Sequence, residues 1–273
     1  MFRDRGIEIK TREQILSMRA AGLVVGRTLE LLRGEVKAGI STGELDAIAE
    51  DHIRSSGAVP SFKGYHGFTG SICASVNDEI VHGIPGERVL ADGDLISIDC
   101  GAIVDGWHGD AAITVGVGEV GADLLELARI CEESMWRGFA AAKLGGRLTD
   151  ISAAVEAYVQ AHSSYGIVED FVGHGIGSAM HQPPNVPNFG RPGRGPKLVE
   201  GMALAVEPML TLGKQDNHTL EDDWTVVTDD GRSAAHTEHT FTLTPKGPWI
   251  LTALDGGEAK LAELGIACGA LAD

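Results

Sequence analysis

The sequence predicts an α+β fold in which two pairs of helices alternate with strands. Each half of the chain begins with two helix-like segments, and each then continues into strand-like runs that contain acidic residues. The order is the same in both halves although the residues differ, which indicates weak internal symmetry. For 273 residues with 43% hydrophobic content, we expect one well-buried domain over residues 1–250 and a tail over residues 251–273.

The first pair of helices is predicted from two capping patterns. Thr11 stands three residues before Gln14, so each side chain can hydrogen-bond the backbone of the other residue. Ser41 has the same relation to Glu44. The second helix is expected to end near Gly57. Its apolar residues recur at helical spacing, at Leu45, Ile48, Ala49 and Ile53.

The second pair of helices is predicted at residues 122–143 and 149–163, and it again leads into a region of strands. The tail after residue 250 has small residues and glycines without a strong amphipathic pattern. We therefore assign no role to residues 251–273.

Between the helix pairs, residues 95–117 are predicted to form a β-hairpin. Two apolar runs flank Asp105 and Gly106, and this dipeptide has the strongest short-range preference for a hairpin turn. With this turn, Asp99 faces position 112 and Asp110 faces position 101. The two carboxylates are then diagonal neighbours on one face of the hairpin.

These two carboxylates indicate a metal site. Asp99 lies between Ile98 and Cys100, in a strand that is expected to be buried on both sides. Leaving two ionised carboxylates unpaired in such a sheet is costly, and a bound cation would remove the cost by using their oxygens as ligands. The alternative is a solvated hairpin face, on which neither charge needs a partner.

Histidines in two glycine-containing segments are further candidates. In GHGIGSAMH, residues 173–181, glycines flank His174 on both sides and His181 follows seven positions later. A single histidine is more often an ordinary core or surface residue than a ligand, but flanking glycines let the backbone approach a bound group closely. His82 precedes a turn with Gly and Pro, where a side chain can project into a cleft.

Two glutamates complete the candidate metal ligands. Glu207 and Glu238 each interrupt a strand-like run, where a plain core would not contain a carboxylate. Together with Asp99 and Asp110 they carry four negative charges, which two divalent cations would neutralise, and His174 would be a neutral ligand. The count favours two metals over one. Oxygen and imidazole ligands without a thiolate suit Mn, Fe(II), Co or Zn, and the histidine makes calcium less suitable.

Composition excludes several other classes of protein. A net charge of −17 argues against a broad nucleic-acid surface, which would normally be basic. The chain has no apolar signal region at its start and no stretch of about 18 apolar residues, so we expect neither export nor membrane insertion. The four cysteines form no C-x-x-C pattern and are expected to be reduced thiols. We expect a cytoplasmic protein.

Five segments in order, NDEIVHGIP, IDCGAIVDGWHGD, GHGIG with the histidine that follows it, EPM and TEHT, resemble the motifs of methionine aminopeptidases. The type I bacterial group is the most similar, and the resemblance covers residues 8–251. It implies the pita-bread fold, which is a curved antiparallel sheet with two pseudo-symmetric helix pairs outside and a dinuclear metal cleft at the centre. It also implies a metal-dependent enzyme.

The resemblance implies a role for each metal ligand. Asp99 would bind one ion through both oxygens, while Asp110 and Glu238 would bridge the two ions. His174 and Glu207 would complete the other site. A hydroxide that bridges the metals would attack the first peptide bond, and Glu207 would accept and relay the proton.

The resemblance also implies a substrate site around these ligands. His82 and His181 would hydrogen-bond the substrate and stabilise the tetrahedral intermediate without binding metal. Aromatic walls and a neighbouring sulfur suit the polarizable thioether of methionine. The residues expected around this methionine pocket are Tyr65, Phe68, Cys73 and Trp224.

The expected substrates are deformylated nascent proteins and peptides that begin with methionine and have a small second residue. A basic cluster of Arg191, Arg194 and Lys197, in a Pro and Gly loop, is a candidate for weak contact with the ribosome. An ordinary solvated loop is the alternative. We expect a monomer that does not read nucleic acid or bind a membrane.

Three alternatives are weighed against this function. Aminopeptidase P, prolidase and creatinase share the fold and a similar ligand set, but they usually carry a large N-terminal domain, and only 81 residues precede His82 here. Type II methionine aminopeptidases have an inserted helical subdomain, for which the 31 positions from Glu207 to Glu238 leave no room. The third alternative is a non-catalytic scaffold protein, which should have lost the metal ligands that this chain keeps.

The chain departs from the family pattern that the resemblance implies at two positions. They are Ala111, where a hydroxyl residue is common, and Gln182, where an acid is common.

Overall fold

The computed structural model describes residues 6–271 as helices, strands and connecting segments. The first five residues of the domain predicted at 1–250 and the last two of the tail predicted at 251–273 lie outside this range. The helices are α1 (Arg12–Glu35), α2 (Thr42–Ser55), α3 (Ala122–Ala141), α4 (Leu148–His162) and α5 (Glu258–Glu263), with one 3-10 turn at Tyr65–Gly67.

Fifteen strands lie between and after these helices in the described part of the chain. They are β1 (Val59–Pro60), β2 (Ile72–Val76), β3 (Glu79–Val81), β4 (Leu95–Val104), β5 (Trp107–Gly116), β6 (Gly166–Ile167), β7 (Gly173–Gly175), β8 (Gln182–Val186), β9 (Ala203–Val206), β10 (Met209–Thr211), β11 (Asn217–Thr219), β12 (Val226–Thr228), β13 (Ala234–His236), β14 (Glu238–Thr244) and β15 (Gly247–Ile250). Every recorded strand pairing is antiparallel.

Both capping boxes of the first helix pair are confirmed. The backbone N–H of Gln14 donates to Oγ1 of Thr11 over 3.3 Å, and the N–H of Thr11 donates to Oε1 of Gln14 over 2.8 Å. Ser41 and Glu44 exchange the same two bonds at 3.2 and 2.8 Å. These bonds satisfy amide groups that the first helical turn leaves without partners, so α1 and α2 begin where the sequence predicts.

The second helix pair is also confirmed, with small shifts of its ends. Helix α3 ends at Ala141, two residues before the predicted end. Helix α4 begins and ends one residue earlier than predicted. The connection turns at Gly145, whose φ of +85° is in the left-handed region that glycine adopts most readily. The N–H of Arg147 donates to Oδ2 of Asp150 over 2.8 Å at the start of α4.

The predicted hairpin has the predicted register. Strands β4 and β5 pair over their whole lengths, with Asp99 opposite Ala112 and Gly101 opposite Asp110. Asp105 and Gly106 form the turn with φ values of +50° and +81°. Positive φ at both positions is the requirement of the type I′ turn, which matches the twist of the two strands.

The hairpin joins a nine-stranded sheet that both halves of the chain build. The order along this sheet is β1-β4-β5-β14-β9-β7-β8, with β2 beside β4 and β15 beside β14. Strand β5 of the first half therefore pairs directly with β14 of the second half, with Glu238 opposite Ala112. Two three-stranded sheets, β13-β10-β6 and β11-β12-β3, complete the described strands.

Alternation along β4 separates the core from the opposite face of the sheet. Ile96, Ile98, Cys100 and Ala102 are buried in one cluster with the apolar faces of α1 and α2. Because successive side chains in a strand point to opposite faces, Asp99 lies on the face away from these helices. A second cluster packs α3 and α4 against β9 and β14. The predicted arrangement of helices outside a central sheet is confirmed.

Residues beyond 250 pack against this core. The guanidinium of Arg19 donates to the carbonyl oxygens of Leu251 at 2.7 Å and Leu254 at 2.9 Å. Leu261 of α5 is fully buried in the second cluster, and Lys260 forms an ion pair with Glu133 of α3. The division of the chain at residue 250 stays a prediction.

The state of the cysteines and the character of the helices can be compared with the sequence. All four cysteines are free thiols, as predicted: Cys73, Cys100, Cys131 and Cys268. Within residues 6–271, no helix combines the length and the apolar character that crossing a bilayer requires.

Candidate metal centre and substrate cavity

One cavity of about 270 Å³ opens on the face of the central sheet away from the helices. All eleven residues that the sequence singles out for metal or substrate line this cavity, although they come from both halves of the chain. They are Tyr65, Phe68, Cys73, His82, Asp99, Asp110, His174, His181, Glu207, Trp224 and Glu238.

Sheet register brings three of the four carboxylates together. Ala112 of β5 pairs with Asp99 of β4 on one side and with Glu238 of β14 on the other. Paired residues of neighbouring strands share a face of the sheet, and so does Asp110, two positions before Ala112.

His174 and Glu207 reach the same place from β7 and from the end of β9. Nε2 of His174 lies 3.4 Å from Oε1 of Glu207, 3.9 Å from Oε1 of Glu238 and 4.0 Å from Oδ2 of Asp110. Its Nδ1 lies 3.0 Å from the carbonyl oxygen of Gly175. Donation from Nδ1 to this carbonyl leaves the lone pair of Nε2 directed at the carboxylates, as a metal ligand requires.

His236 belongs to the same cluster, and the sequence reasoning missed it. Its Nε2 lies 3.8 Å from Oε2 of Glu207 and 3.8 Å from Oε2 of Glu238. A signal was available, because His236 stands two residues before Glu238 in an extended segment, where alternate residues share a face. Potential ligand atoms thus form two groups, Asp110 with His174 and Glu238, and Glu207 with His236 and Glu238. Glu238 is common to both.

The donor atoms of this cluster fit divalent metal. Separations of 3.4–4.0 Å are too long for hydrogen bonds, but two ligand atoms bound at about 2.1 Å to one ion can lie up to about 4.2 Å apart. Of the buried side-chain atoms without a hydrogen-bond partner in the described residues, four belong to this cluster: Asp99 Oδ1, Asp110 Oδ1, Glu238 Oε1 and His236 Nε2. Buried polar atoms without partners are rare, and a cation would satisfy them.

Repulsion among the four carboxylates also indicates that the cluster binds cations. Burial raises the pKa of Asp99 to about 7. Burial also raises the pKa of Asp110 well above its usual range, and the charges of Glu238 and Asp99 add to the effect. The pKa values of Glu207 and Glu238 are raised by burial and by the neighbouring carboxylates. Ionising all four groups therefore requires compensating positive charge.

His82 follows β3 at the rim of the cavity. Its φ of +60° lies in the left-handed region, which costs a non-glycine residue about 1–3 kcal/mol. Its ring stands edge-on to Phe171 and Trp224, with centroid distances of 5.6 and 6.1 Å. Burial lowers the pKa of His82 to about 4, so the ring is neutral at pH 7.

His181 lies at the end of the loop that connects β7 to β8. The hydroxyl of Tyr65 is 2.9 Å from its Nδ1, and its ring centroid is 4.3 Å from that of His174. Partial burial lowers the pKa of His181, and the nearby His66 adds to the effect. His181 is therefore a neutral imidazole beside the carboxylate cluster.

Apolar side chains form the other wall of the cavity. Phe68 and Trp224 meet edge to face with their centroids 5.0 Å apart. Cys73 pairs with Asp99 across β2 and β4, so this wall directly adjoins the carboxylates. Burial raises the pKa of the Cys73 thiol, which is neutral. The cavity lining also includes Phe62, His66, Val81, Phe171, Val172, Met180 and Met209, which the sequence reasoning did not select.

Residues 17–245 match the sequence model of metallopeptidase family M24. A methionine aminopeptidase from Clostridium acetobutylicum is 52% identical over 247 residues, which cover 90% of this chain and 98% of that protein. Methionine aminopeptidase 1 from Mycobacterium tuberculosis is 51% identical over 254 residues, which cover 91% of this chain and 96% of that protein.

Solved structures give the same result for the fold. The methionine aminopeptidase from Thermotoga maritima has a TM-score of 0.89 at 39% identity and matches 90% of this chain and 99% of its own. A prolidase from Pyrococcus furiosus, at 22% identity, has a TM-score of 0.72 over 89% of this chain and 65% of its own, and this likeness concerns the fold alone. The predicted pita-bread fold is confirmed.

Proposed function

Because the chain belongs to the type I bacterial methionine aminopeptidases of metallopeptidase family M24, we propose that it removes the initiator methionine from deformylated nascent proteins and peptides with a small second residue. One observation carries this proposal: a wall of aromatic and sulfur-containing side chains directly adjoins a cluster of carboxylates and histidines in one cavity. The wall suits an unbranched thioether, and the cluster suits activation of water.

We propose that two divalent cations, Mn, Fe(II), Co or Zn, bind in the cluster. The residues that would hold them are Asp99, Asp110, His174, Glu207 and Glu238, with His236 beside Glu207 and Glu238. When bound, two divalent cations would lower the pKa of water to yield a hydroxide nucleophile near neutral pH and polarise the first peptide carbonyl. The four carboxylates match the charge of two such cations.

Glu207 is proposed to move the proton in this reaction. Its side chain is only 14% exposed, and burial raises the pKa of its carboxyl group well above the usual range, with Asp99 and Asp110 adding to the shift. A carboxyl group with a raised pKa can take a proton from water and return it to the leaving amine. Cation binding would lower this pKa again and set its working value.

His82 and His181 are proposed to bind the substrate rather than metal. Both line the cavity, and neither belongs to the two groups of potential ligand atoms among the described residues. Each is a neutral imidazole at pH 7 by the pKa shifts described above, so each can donate one hydrogen bond. Donors aimed at the peptide oxygen would stabilise the charge that develops in the tetrahedral intermediate.

The test is peptide cleavage by metal-free protein reconstituted separately with Mn, Co, Fe(II) or Zn. The substrates are Met-Ala-Ser, an Ala-Pro peptide and formyl-Met-Ala-Ser. We expect metal-dependent release of methionine from Met-Ala-Ser alone. Cleavage of the Ala-Pro peptide instead would indicate an X-Pro aminopeptidase, and no cleavage by protein with two bound metals would overturn the proposed function.

We also propose that a basic loop of the protein makes a salt-sensitive contact with the ribosome in the cytoplasm. Arg191, Arg194 and Lys197 are exposed, and a β-bridge between Arg147 and Lys197 adds a fourth cation to their surface. The N–H of Gly193 donates to Oδ1 of Asp150 over 2.8 Å, so the loop is held against α4. Co-sedimentation with ribosomes at low and high salt tests it, and the absence of salt-sensitive binding would refute it.

A further inference from the structure

The extended segment ahead of α1 reaches the loop that carries His181. Ile9 forms a β-bridge with Met202, and the N–H of Lys10 donates to the carbonyl of Gly201 over 2.8 Å. These bonds fix the segment against Gly201 and Met202, directly before β9. From there, Glu8 and Lys10 contact Ser178 and Gln182, on either side of His181, and no role assigned so far involves Glu8 or Lys10.

Glu8 accepts three hydrogen bonds, two from Ser178 in the connection between β7 and β8 and one from Gln182, the first residue of β8. The N–H of Ser178 donates to Oε2 of Glu8 over 3.0 Å, and the Ser178 hydroxyl donates to Oε1 over 2.7 Å. Nε2 of Gln182 donates to Oε2 of Glu8 over 3.0 Å and to the Ser178 hydroxyl over 3.1 Å. The two partners stand on either side of His181 in the chain, so one carboxylate holds both ends of the segment that contains it.

Lys10 supports the same carboxylate from within the protein. Its side chain is 1% exposed, and Nζ lies 3.5 Å from Oε2 of Glu8 and 3.1 Å from the Glu8 carbonyl oxygen. Nζ also lies 3.5 Å from Oε1 of Gln182. The two side chains cover Gly177 so closely that a Cβ there would overlap both of them. A buried lysine requires a partner, which Glu8 supplies.

The carboxylate is ionised at neutral pH. Burial acts to raise the pKa of Glu8, but the hydrogen bonds from Ser178 and Gln182 and the charge of Lys10 outweigh it and lower the pKa to about 2. Hydrogen bonds to an ionised acceptor are about twice as strong as those between neutral groups. The tip of the loop at Ser178 is exposed. Because the tip is not packed against other side chains, these hydrogen bonds limit its motion.

We propose that Glu8, supported by Lys10, is a positioning residue that holds His181 against the substrate. It acts through the loop and touches neither substrate nor metal ligand. The residue that follows His181 in the chain is the neutral Gln182. The negative charge beside the loop is contributed by Glu8, from a different part of the chain. This inference rests on the proposed role of His181 in substrate binding.

The first variant is Glu8→Gln, studied in the full chain loaded with Mn. Loss of the ionised acceptor loosens the loop, and small misplacements at an active site are costly, so kcat on Met-Ala-Ser should fall about 10-fold. Metal content should stay at the wild-type value and KM should change less than about 2-fold, since binding of methionine depends on the apolar wall. Amide hydrogen exchange should accelerate over residues 176–182 and stay unchanged in α3.

Two further variants separate positioning from simple destabilisation. The exchange Glu8→Gln with Gln182→Glu returns a carboxylate next to Lys10 from the other side, and it should restore most of kcat. In a His181→Ala background, Glu8→Gln should cause no further loss of kcat, because the residue it positions is gone. Glu30→Gln is the matched control, because Glu30 has only an exposed ion pair with Arg33 on α1, and it should leave kcat and exchange unchanged.

Several outcomes would overturn the proposal. They are unchanged kcat with accelerated exchange, loss of metal together with kcat, and an additional loss of kcat in the His181→Ala background. If Glu8→Gln does not fold, Ser178→Ala removes one donor from the exposed tip and should give the same pattern with a smaller fall in kcat. If the wild type does not cleave Met-Ala-Ser, the proposed function fails, while hydrogen exchange still decides whether Glu8 holds the loop.

Discussion

The first half of the chain carries its two cavity carboxylates on a hairpin of two ten-residue strands, β4 and β5. The second half carries His174, Glu207 and His236 on or beside short strands instead, since β7 and β13 have three residues each and β9 has four, while Glu238 begins the seven-residue β14. Both halves begin with two helices and place acidic residues on the same face of one sheet. They differ in how the position of each side chain is determined.

In the hairpin, one turn fixes the register of ten residue pairs, so the positions of Asp99 and Asp110 follow from local sequence. In the second half, each ligand depends on separate neighbours. His174 lies on a strand whose register shifts against β8, and Glu207 follows the last residue of β9. We therefore expect changes in the second half to act on single ligands and changes in the hairpin turn to act on the stability of the whole domain.

The largest effect is expected from Glu238→Gln, where the halves meet. Glu238 is common to both groups of potential ligand atoms. Groups that only orient a metal ligand typically contribute about 10–100-fold, so loss of Glu238 itself should lower kcat/KM on Met-Ala-Ser by more than this. Metal content after dialysis should fall below the wild-type value. Because the change removes one of four mutually repelling carboxylates, the metal-free variant should unfold at no lower temperature than metal-free wild type. Glu221→Gln, an exposed acid, is the control, and full metal binding by Glu238→Gln would contradict the expectation.

The next largest effect is expected from His181→Ala. Loss of a hydrogen-bond donor to developing negative charge lowers kcat by about 10²–10³-fold in comparable sites. Metal content measured on the same sample should equal that of the wild type, because His181 is proposed to contact substrate only. A folded His181→Ala protein that had lost metal would show that the second half uses this histidine as a ligand.

A smaller effect is expected from His236→Gln. Its Nε2 is buried without a hydrogen-bond partner and faces two carboxylates, so the change should weaken metal binding about 10–100-fold, as for groups that support metal ligands. Titration calorimetry with Mn measures this affinity directly. The matched control is His218→Gln, since His218 pairs with Asp229 on the exposed surface. Equal affinities of the two variants would exclude His236 from the metal centre.

The smallest effect is expected in the hairpin turn, from Gly106→Ala. Gly106 has a φ of +81°, which costs a residue with a Cβ about 1–2 kcal/mol, so the free energy of unfolding in urea should fall by about that amount with an unchanged slope. Gly34→Ala is the control because nothing lies near its Cβ position in α1, and it should stabilise the protein slightly. Equal stability of Gly106→Ala and wild type would mean that the turn does not set the hairpin register.

Sequence reasoning predicted most where a local signal existed. The capping residues Thr11 and Ser41 gave the starts of α1 and α2, and the Asp105-Gly106 turn gave the pairing of Asp99 with position 112. For His174 and Glu207 there was no comparable local rule: flanking glycines and an interrupted strand marked them as candidate ligands, and the family resemblance predicted their roles. His236 was missed because one histidine in a strand is ordinary, and the two carboxylates that its Nε2 faces come from separate strands.

The sequence by itself therefore determined the helix pairs, the hairpin register and the family, because capping, turn geometry and ordered motifs depend on residues close together in the chain. Only the tertiary structure decided that β5 pairs with β14, which sets Asp99 and Glu238 on either side of Ala112. It alone decided that Glu8 holds the loop of His181. These contacts join residues more than a hundred positions apart, and they form only when both halves pack into one sheet.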